Sequence, residues 1–504
     1  KVPKDEFLIS LFVYAGLLIY GVIHVYDARE AIEYVAHFQL IEGWSFIGHK
    51  MDASSYSWHM ISIFYEDYYW ILLLHIILCE ICRATKPEFV TYLQIAISIG
   101  FMLYAYRIKT CIIVLGQIIP FFFIATIVNS SAWLWFIGFL WLIVLTLFRF
   151  TFFIANYDFI EYHDLLSIVA WNILKFMSFM LDRKNVRDPL EQLKFNFVNY
   201  CGYMLYFPTM VHGPILVYDR YKCCMDNDGK PKKPLPERIL CLVIGIGKLV
   251  ALFFMVRFTL HFIYVFQLQV NSDAVNNLNI GGLYGFGFLT ILYLYFYCIL
   301  CYGVGRAVSL FDGMDTPPQS KCIATLNTCT SVCKNVDPGL FEFSYNYIYS
   351  ALCREESNIF RKIFATFVMC LLTFTFSGVH LYLIFWALLI FSCVMLEKLV
   401  KIAFTSNYFS STIGECLSKN NQGRLHRFAI GQIYIPFAIS LIFLLSDTDI
   451  GMRFIHATYA ENPLHYLTLT VWTYAMAHLS DFISERKDKN SNRKFTRQMS
   501  KDFV

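Results

Sequence analysis

Across residues 110–148 the chain carries no Asp, Glu, Lys or Arg. That is about twice the roughly 20 apolar residues one helix needs to cross a bilayer. Lipid offers the backbone no hydrogen-bond partners, so such a stretch must close its own N–H and C=O groups as helices. Two helices are therefore expected, with Asn129-Ser130-Ser131 as the polar turn between them. The tripeptide also matches a glycosylation sequon, but a tight turn against the bilayer would hide it from the transferase.

Other gaps between charges mark further spans. Residues 89–106 and 428–446 are charge-free and long enough to cross. Weaker candidates are 68–82, 165–181, 195–218, 239–266, 280–305, 363–396 and 464–480, some of them expected to be re-entrant. Residues 7–26 are too long for a signal-peptide core and read as an uncleaved first span. As one helix, 363–396 would be about 50 Å long at 1.5 Å per residue, so it must tilt, break near Gly378 or emerge into a loop. Composition agrees: 57% of the 504 residues are hydrophobic and only 15% charged, against about 25% charged in soluble proteins. The chain is expected to be a single all-α polytopic membrane domain over residues 1–504, with about ten to twelve membrane helices or re-entrant segments.

With 41 basic and 37 acidic residues the net charge is only +4, which leaves no basic domain for nucleic acid. The partners are expected in or across the bilayer, membrane lipid among them. The 16 Cys are scattered through apolar runs, show no disulfide framework and lack the paired spacing of a zinc site. Lys and Arg cluster in the tail after Ser480 and in 397–427, whereas 447–463 holds only Arg453. The tail 481–504 is therefore expected in the cytosol and 447–463 in the lumen. The acidic loop 27–67, which mixes Trp44, Phe46, Trp58 and Phe64 with charge, suits a luminal segment lying on the membrane surface. No internal repeat is visible, which disfavours an inverted-repeat transporter.

Residues 306–362 are too polar to cross and too aromatic to be a free linker. Non-helical backbone at a membrane must be buried in protein or line a cavity, so a roofed cavity at the cytosolic face is expected here. Within this segment, Val336-Asp337-Pro338-Gly339-Leu340-Phe341-Glu342-Phe343 followed by Tyr347-Ile348-Tyr349 resembles the signature loop of the membrane-bound O-acyltransferase family, in its Hedgehog acyltransferase branch. Three more strings resemble the same branch, in its order and at similar spacing. They are Phe38-Gln39-Leu40-Ile41-Glu42-Gly43-Trp44, Tyr206-Phe207-Pro208 leading to Gly213-Pro214-Ile215, and Asp312-Gly313 through Pro317-Pro318 to Lys321-Cys322.

The resemblance implies palmitoyl transfer from palmitoyl-CoA to the N-terminal Cys of a secreted Hedgehog-type protein, at the endoplasmic reticulum or Golgi membrane. A cytosolic donor and a luminal acceptor would meet in a central tunnel away from water, where a His removes the acceptor's proton and a positioned polar group orients the thioester. The signature Asp falls on Asp337, which a Pro-Gly turn would also favour. The family's His falls on Ser377, counted back from Glu397-Lys398, and the next imidazole is His380. On a continuous helix, residues three apart are neighbours, so His380 is expected beside Ser377. Before Asp337 the family's aromatics are replaced by Cys333-Lys334-Asn335-Val336, with Lys334 keeping a cation for CoA phosphates. Tyr349 matches a family Tyr and is expected near the acyl donor. Cys322 matches the thiolate that holds haem b in this branch, although a buried or acylated thiol is the plainer reading. His212 reads as a helix-end hydrogen bonder that could also line the tunnel. The same departures also fit a catalytically silent relative that binds acyl-CoA or the acceptor and regulates signalling.

Overall fold

The computed structural model describes residues 3–35, 40–106, 108–128, 130–151, 158–225, 231, 233–353 and 358–502. Asn129, Phe38 and Gln39 lie outside them. Among the described residues ten helices are long and apolar enough to cross a membrane, in keeping with the all-α polytopic reading. The principal elements are α1 (Lys4–Asp27), β1 (Leu40–Ile41), β2 (Met51–Asp52), α2 (Tyr56–Thr85), α3 (Val90–Ala105), α4 (Ile108–Ile127) and α5 (Ser131–Thr151). They continue with α6 (Phe159–Asn185), α7 (Leu235–Thr259), α8 (Ile280–Phe311), α9 (Cys329–Val336), α10 (Pro338–Ser344), α11 (Ile359–Ser377), α12 (Leu381–Thr405), α13 (Lys419–Leu445) and α14 (Pro463–Asp502). The charge-free stretch 110–148 is divided between α4 and α5, as its length requires. α2 begins at Tyr56 with Ser55 as its cap, so Trp58 and Phe64 are buried in a span and do not lie in the loop before it.

The two ends of the bundle are set by a few contacts. At one end Glu6 of α1 pairs with Arg424 of α13 and lies 3.7 Å from His478 of α14; this is the tail end. At the far end α1 and α8 meet backbone to backbone, where a Cβ on Gly285 would sit 2.2 Å from the Gly21 carbonyl oxygen. Close approach through glycine is the common way for helices to pack in lipid, where apolar side chains gain little by leaving the solvent.

Asp312 knots the tail end together. Its carboxylate is fully buried and accepts Arg83 Nη2 at 2.6 Å and the Tyr206 hydroxyl at 2.5 Å, with His75 Nε2 at 2.9 Å. Four groups, from α2, the residue that ends α8 and the segment after Met204, thus close one buried ionic network, and removing a single partner from such a network costs about 3–5 kcal/mol.

Residues 195–218, expected to be a span, form none. A helix covers Phe197–Met204 and a single 3₁₀ turn covers Phe207–Thr209, after which the chain runs irregularly to Val217. The irregular stretch is buried throughout. Pro208 and Gly213-Pro214 prevent a continuous helix, and composition alone does not separate a lipid-facing run from a buried loop. Residues 363–396 do break at Gly378, whose φ of 116° only glycine adopts readily.

Candidate active site

Three distant parts of the sequence close on one another where the buried loop passes α8. A Cβ on Gly305 would lie 2.1 Å from the Pro208 carbonyl oxygen and 3.1 Å from that of His212. A Cβ on Gly339 would lie 2.8 Å from the Ile215 carbonyl oxygen. The absence of side chains at these two positions lets the 208–215 loop wedge between α8 and the start of α10. The strings Tyr206-Phe207-Pro208, Gly213-Pro214-Ile215 and Asp337-Pro338-Gly339 therefore form one structural unit.

Asp337 stands at the centre of it. It caps α10 by accepting the Leu340 N–H at 2.9 Å, with Pro338 in the first turn, where no N–H is needed. Its second oxygen accepts the Tyr302 hydroxyl at 2.9 Å. Burial pushes the carboxyl above its ordinary range, and the hydrogen bonds from Leu340 and Tyr302 pull it part of the way back. The carboxyl faces a cavity of about 10 Å³, shared with Pro214, Cys298, Tyr302, Arg306 and Ser320. That is close to the least room a single water needs.

Ser377 ends α11 at the far end, exposed, with its hydroxyl donating to Thr373 O at 2.9 Å. The helix does not continue, so His380 is not its neighbour on one face as expected. His380 occupies the N-cap position of α12, exposed, with its ring stacked on Tyr382 at 5.2 Å. Phe376 connects this turn to Asp337. It stacks on Trp171 of α6 at 5.3 Å, and Trp171 lies 6.5 Å from the ring of Tyr302. The buried indole N–H of Trp171 makes no hydrogen bond among the described residues.

Lys334 is exposed on α9. Tyr349 stacks on Tyr345 at 5.5 Å, and the ammonium of Lys398 sits 5.4 Å from its ring centre while donating to Thr366 Oγ1 at 2.6 Å. Cys322 is half-buried, and burial pushes its thiol up. The next two residues, Ile323 and Ala324, border an apolar cavity of about 80 Å³ between α8, α13 and α14. Among the described residues no group of three or more His, Cys, Asp or Glu could hold a metal ion, so Cys322 would ligate alone. Sequence reasoning missed Tyr302, Trp171 and Lys398. Nothing in their local spacing distinguishes them from other residues of apolar helices.

A family model described as MBOAT, membrane-bound O-acyltransferase family, matches residues 123–440. The chain is 22% identical over 499 residues to the protein-cysteine N-palmitoyltransferase Rasp of Drosophila melanogaster, covering 97% of both chains. It is also 22% identical over 280 residues to the protein-cysteine N-palmitoyltransferase HHAT of Mus musculus, covering 55% of each. A mouse HHAT-like protein is 20% identical over 347 residues, covering 67% of this chain and 66% of the relative.

Proposed function

Since the chain belongs to the membrane-bound O-acyltransferase family, we propose that it is a protein-cysteine N-palmitoyltransferase. It moves a palmitoyl group from palmitoyl-CoA to the N-terminal Cys of a secreted Hedgehog-type protein, in the endoplasmic reticulum or Golgi membrane. The observation that carries this reading is similarity over 97% of both chains to a protein-cysteine N-palmitoyltransferase, and the resemblance that sets the signature Asp at Asp337 supports it. The Hedgehog-type acceptor rests on the branch resemblance of the four strings.

The residues divide by depth. Lys334 and Lys398 lie toward the tail end and face the CoA phosphates, with Tyr349 held against Lys398. Deeper in, Asp337 orients the donor. Its two oxygens accept the Leu340 N–H and the Tyr302 hydroxyl, which fixes the Tyr302 ring, and the indole N–H of Trp171 beside that ring is the donor for the thioester carbonyl. The turn holding Ser377 and His380 stands on the acceptor side, where the exposed His380 takes a proton from the incoming ammonium group. The amine then attacks the thioester carbon, a C–N bond forms, the C–S bond breaks, and CoA leaves as a thiol.

The surroundings of Cys322 fit a haem ligand in donor chemistry: a half-buried thiol beside an apolar cavity, whose deprotonation an iron would favour. Bound there, haem b would supply an iron–sulfur anchor for the segment around Cys322.

The test compares His380→Ala with Ser377→His, using labelled palmitoyl-CoA and a peptide with an N-terminal Cys. His380→Ala should lower transfer by on the order of a hundredfold with donor binding kept, and Ser377→His should raise it, because it puts an imidazole at the family position. A wild-type protein that binds donor without transfer, and gains transfer only with Ser377→His, would be a silent relative.

A further inference from the structure

A second imidazole is buried between Asp337 and the far end. His212 is 7% exposed and packs edge-on against Phe64 at 4.8 Å. Its Nε2 lies 3.5 Å from Oδ1 of Asp164 on α6, a carboxylate only 1% exposed. His163 Nδ1 approaches the same oxygen at 3.6 Å, while the other oxygen accepts the Tyr106 hydroxyl at 2.7 Å. Tyr56, at the far-end start of α2, closes over the His163 ring at 5.0 Å. Three buried polar atoms, His212 Nε2, His163 Nδ1 and Asp164 Oδ1, make no well-formed hydrogen bond among the described residues.

Two imidazoles thus converge on one buried carboxylate at long contact distances, and ionisable groups gathered inside a membrane protein are functional candidates by default. The cluster is also joined to the Asp337 site. His212 belongs to the loop wedged against Gly305, and two residues later Pro214 lines the Asp337 cavity. Tyr65, 6.4 Å from the His212 ring, hydrogen-bonds the Cys301 carbonyl one residue before Tyr302.

We propose that His212, held by Asp164, is the base that takes the second proton of the acceptor amine, a task the chain's Ser377 cannot perform. The inference rests on the acyltransfer reading. An N-terminal ammonium must lose one proton to become a nucleophile and a second after attack. The first leaves at the exposed turn. As the C–N bond forms and the C–S bond breaks, the second passes to the imidazole of His212 and from there to the departing CoA thiolate, which restores the neutral ring. Asp164 is a positioning residue that fixes the ring and stabilises the transient imidazolium.

The test uses the purified full chain in nanodiscs, with labelled palmitoyl-CoA and a peptide bearing an N-terminal Cys. His212→Gln, which keeps polarity and approximate bulk, should lower kcat by on the order of a hundredfold, with KM for palmitoyl-CoA changed by no more than about twofold. Added imidazole should restore part of the rate of His212→Ala but leave Asp164→Asn unaffected. His212→Gln that keeps transfer within about threefold of wild type, in an active wild-type protein, overturns this inference alone. So does a loss shared equally by donor binding, or one in His212→Ala that imidazole leaves untouched. Wild-type protein that binds donor and transfers nothing overturns the acyltransfer reading and this inference together.

Discussion

Tyr302 holds its hydroxyl 2.9 Å from a carboxylate oxygen of Asp337, and the second oxygen of that carboxylate is committed to the Leu340 N–H. The Asp337-Pro338-Gly339 turn is thereby fastened to α8 by one side-chain bond. Tyr302→Phe removes that bond and leaves the ring packed against Trp171. A hydrogen bond to a charged or partly charged group contributes about 1.5–3 kcal/mol, so palmitoyl transfer should fall by roughly tenfold to a hundredfold. Yield of folded protein should stay near wild type. Initial rates at saturating donor check this.

Gly305 is the tightest point of the site. Gly305→Ala puts a methyl 2.1 Å from the Pro208 carbonyl oxygen, and a backbone atom cannot rotate away as the end of a side chain can. Overpacking of this kind costs about 1–3 kcal/mol. The variant should melt at lower temperature than wild type in the same nanodiscs and lose transfer at temperatures where it is still folded, because the 208–215 loop carries His212 and Pro214 with it. Gly245→Ala is the control: a Cβ there meets only Ala307 at 3.7 Å, so the melting temperature should not move.

Much of the scaffold could be read directly from the chain. Missing charge located the spans, and helix rise against bilayer thickness required the break that occurs at Gly378. The buried loop 208–217 could not be read in this way, because its apolar run resembles a span until tertiary packing shows what surrounds it. Asp337 stood out only through the family resemblance of its string, since a Pro-Gly turn favours Asp in any protein. Tyr302, Trp171 and Asp164 were not legible, since a residue inside an apolar helix carries no local mark of which neighbour it faces. The relation expected between Ser377 and His380 failed for a single reason: it assumed helical spacing across a glycine that ends the helix.

Orientation follows from charge. The bundle's tail end gathers the N-terminus of α1, the Asp312 knot and the basic C-terminal segment, and this end should face the cytosol. An epitope tag after Val504 should be labelled when only the plasma membrane is permeabilised. A tag inserted after Asp447 should be labelled only when internal membranes are opened as well. The reverse pattern would put the donor and acceptor sides the wrong way round.

The most direct measurement is product analysis by mass spectrometry after purified wild-type protein is incubated with palmitoyl-CoA and two peptides, one with a free N-terminal Cys and one with that amine acetylated. A transferase that works through Asp337 yields a palmitoyl amide on the free peptide, stable to hydroxylamine, no product on the acetylated one, and no amide in Asp337→Asn. Palmitoyl-CoA that binds and is never transferred, or an amide yield that Asp337→Asn leaves unchanged, would rule this activity out.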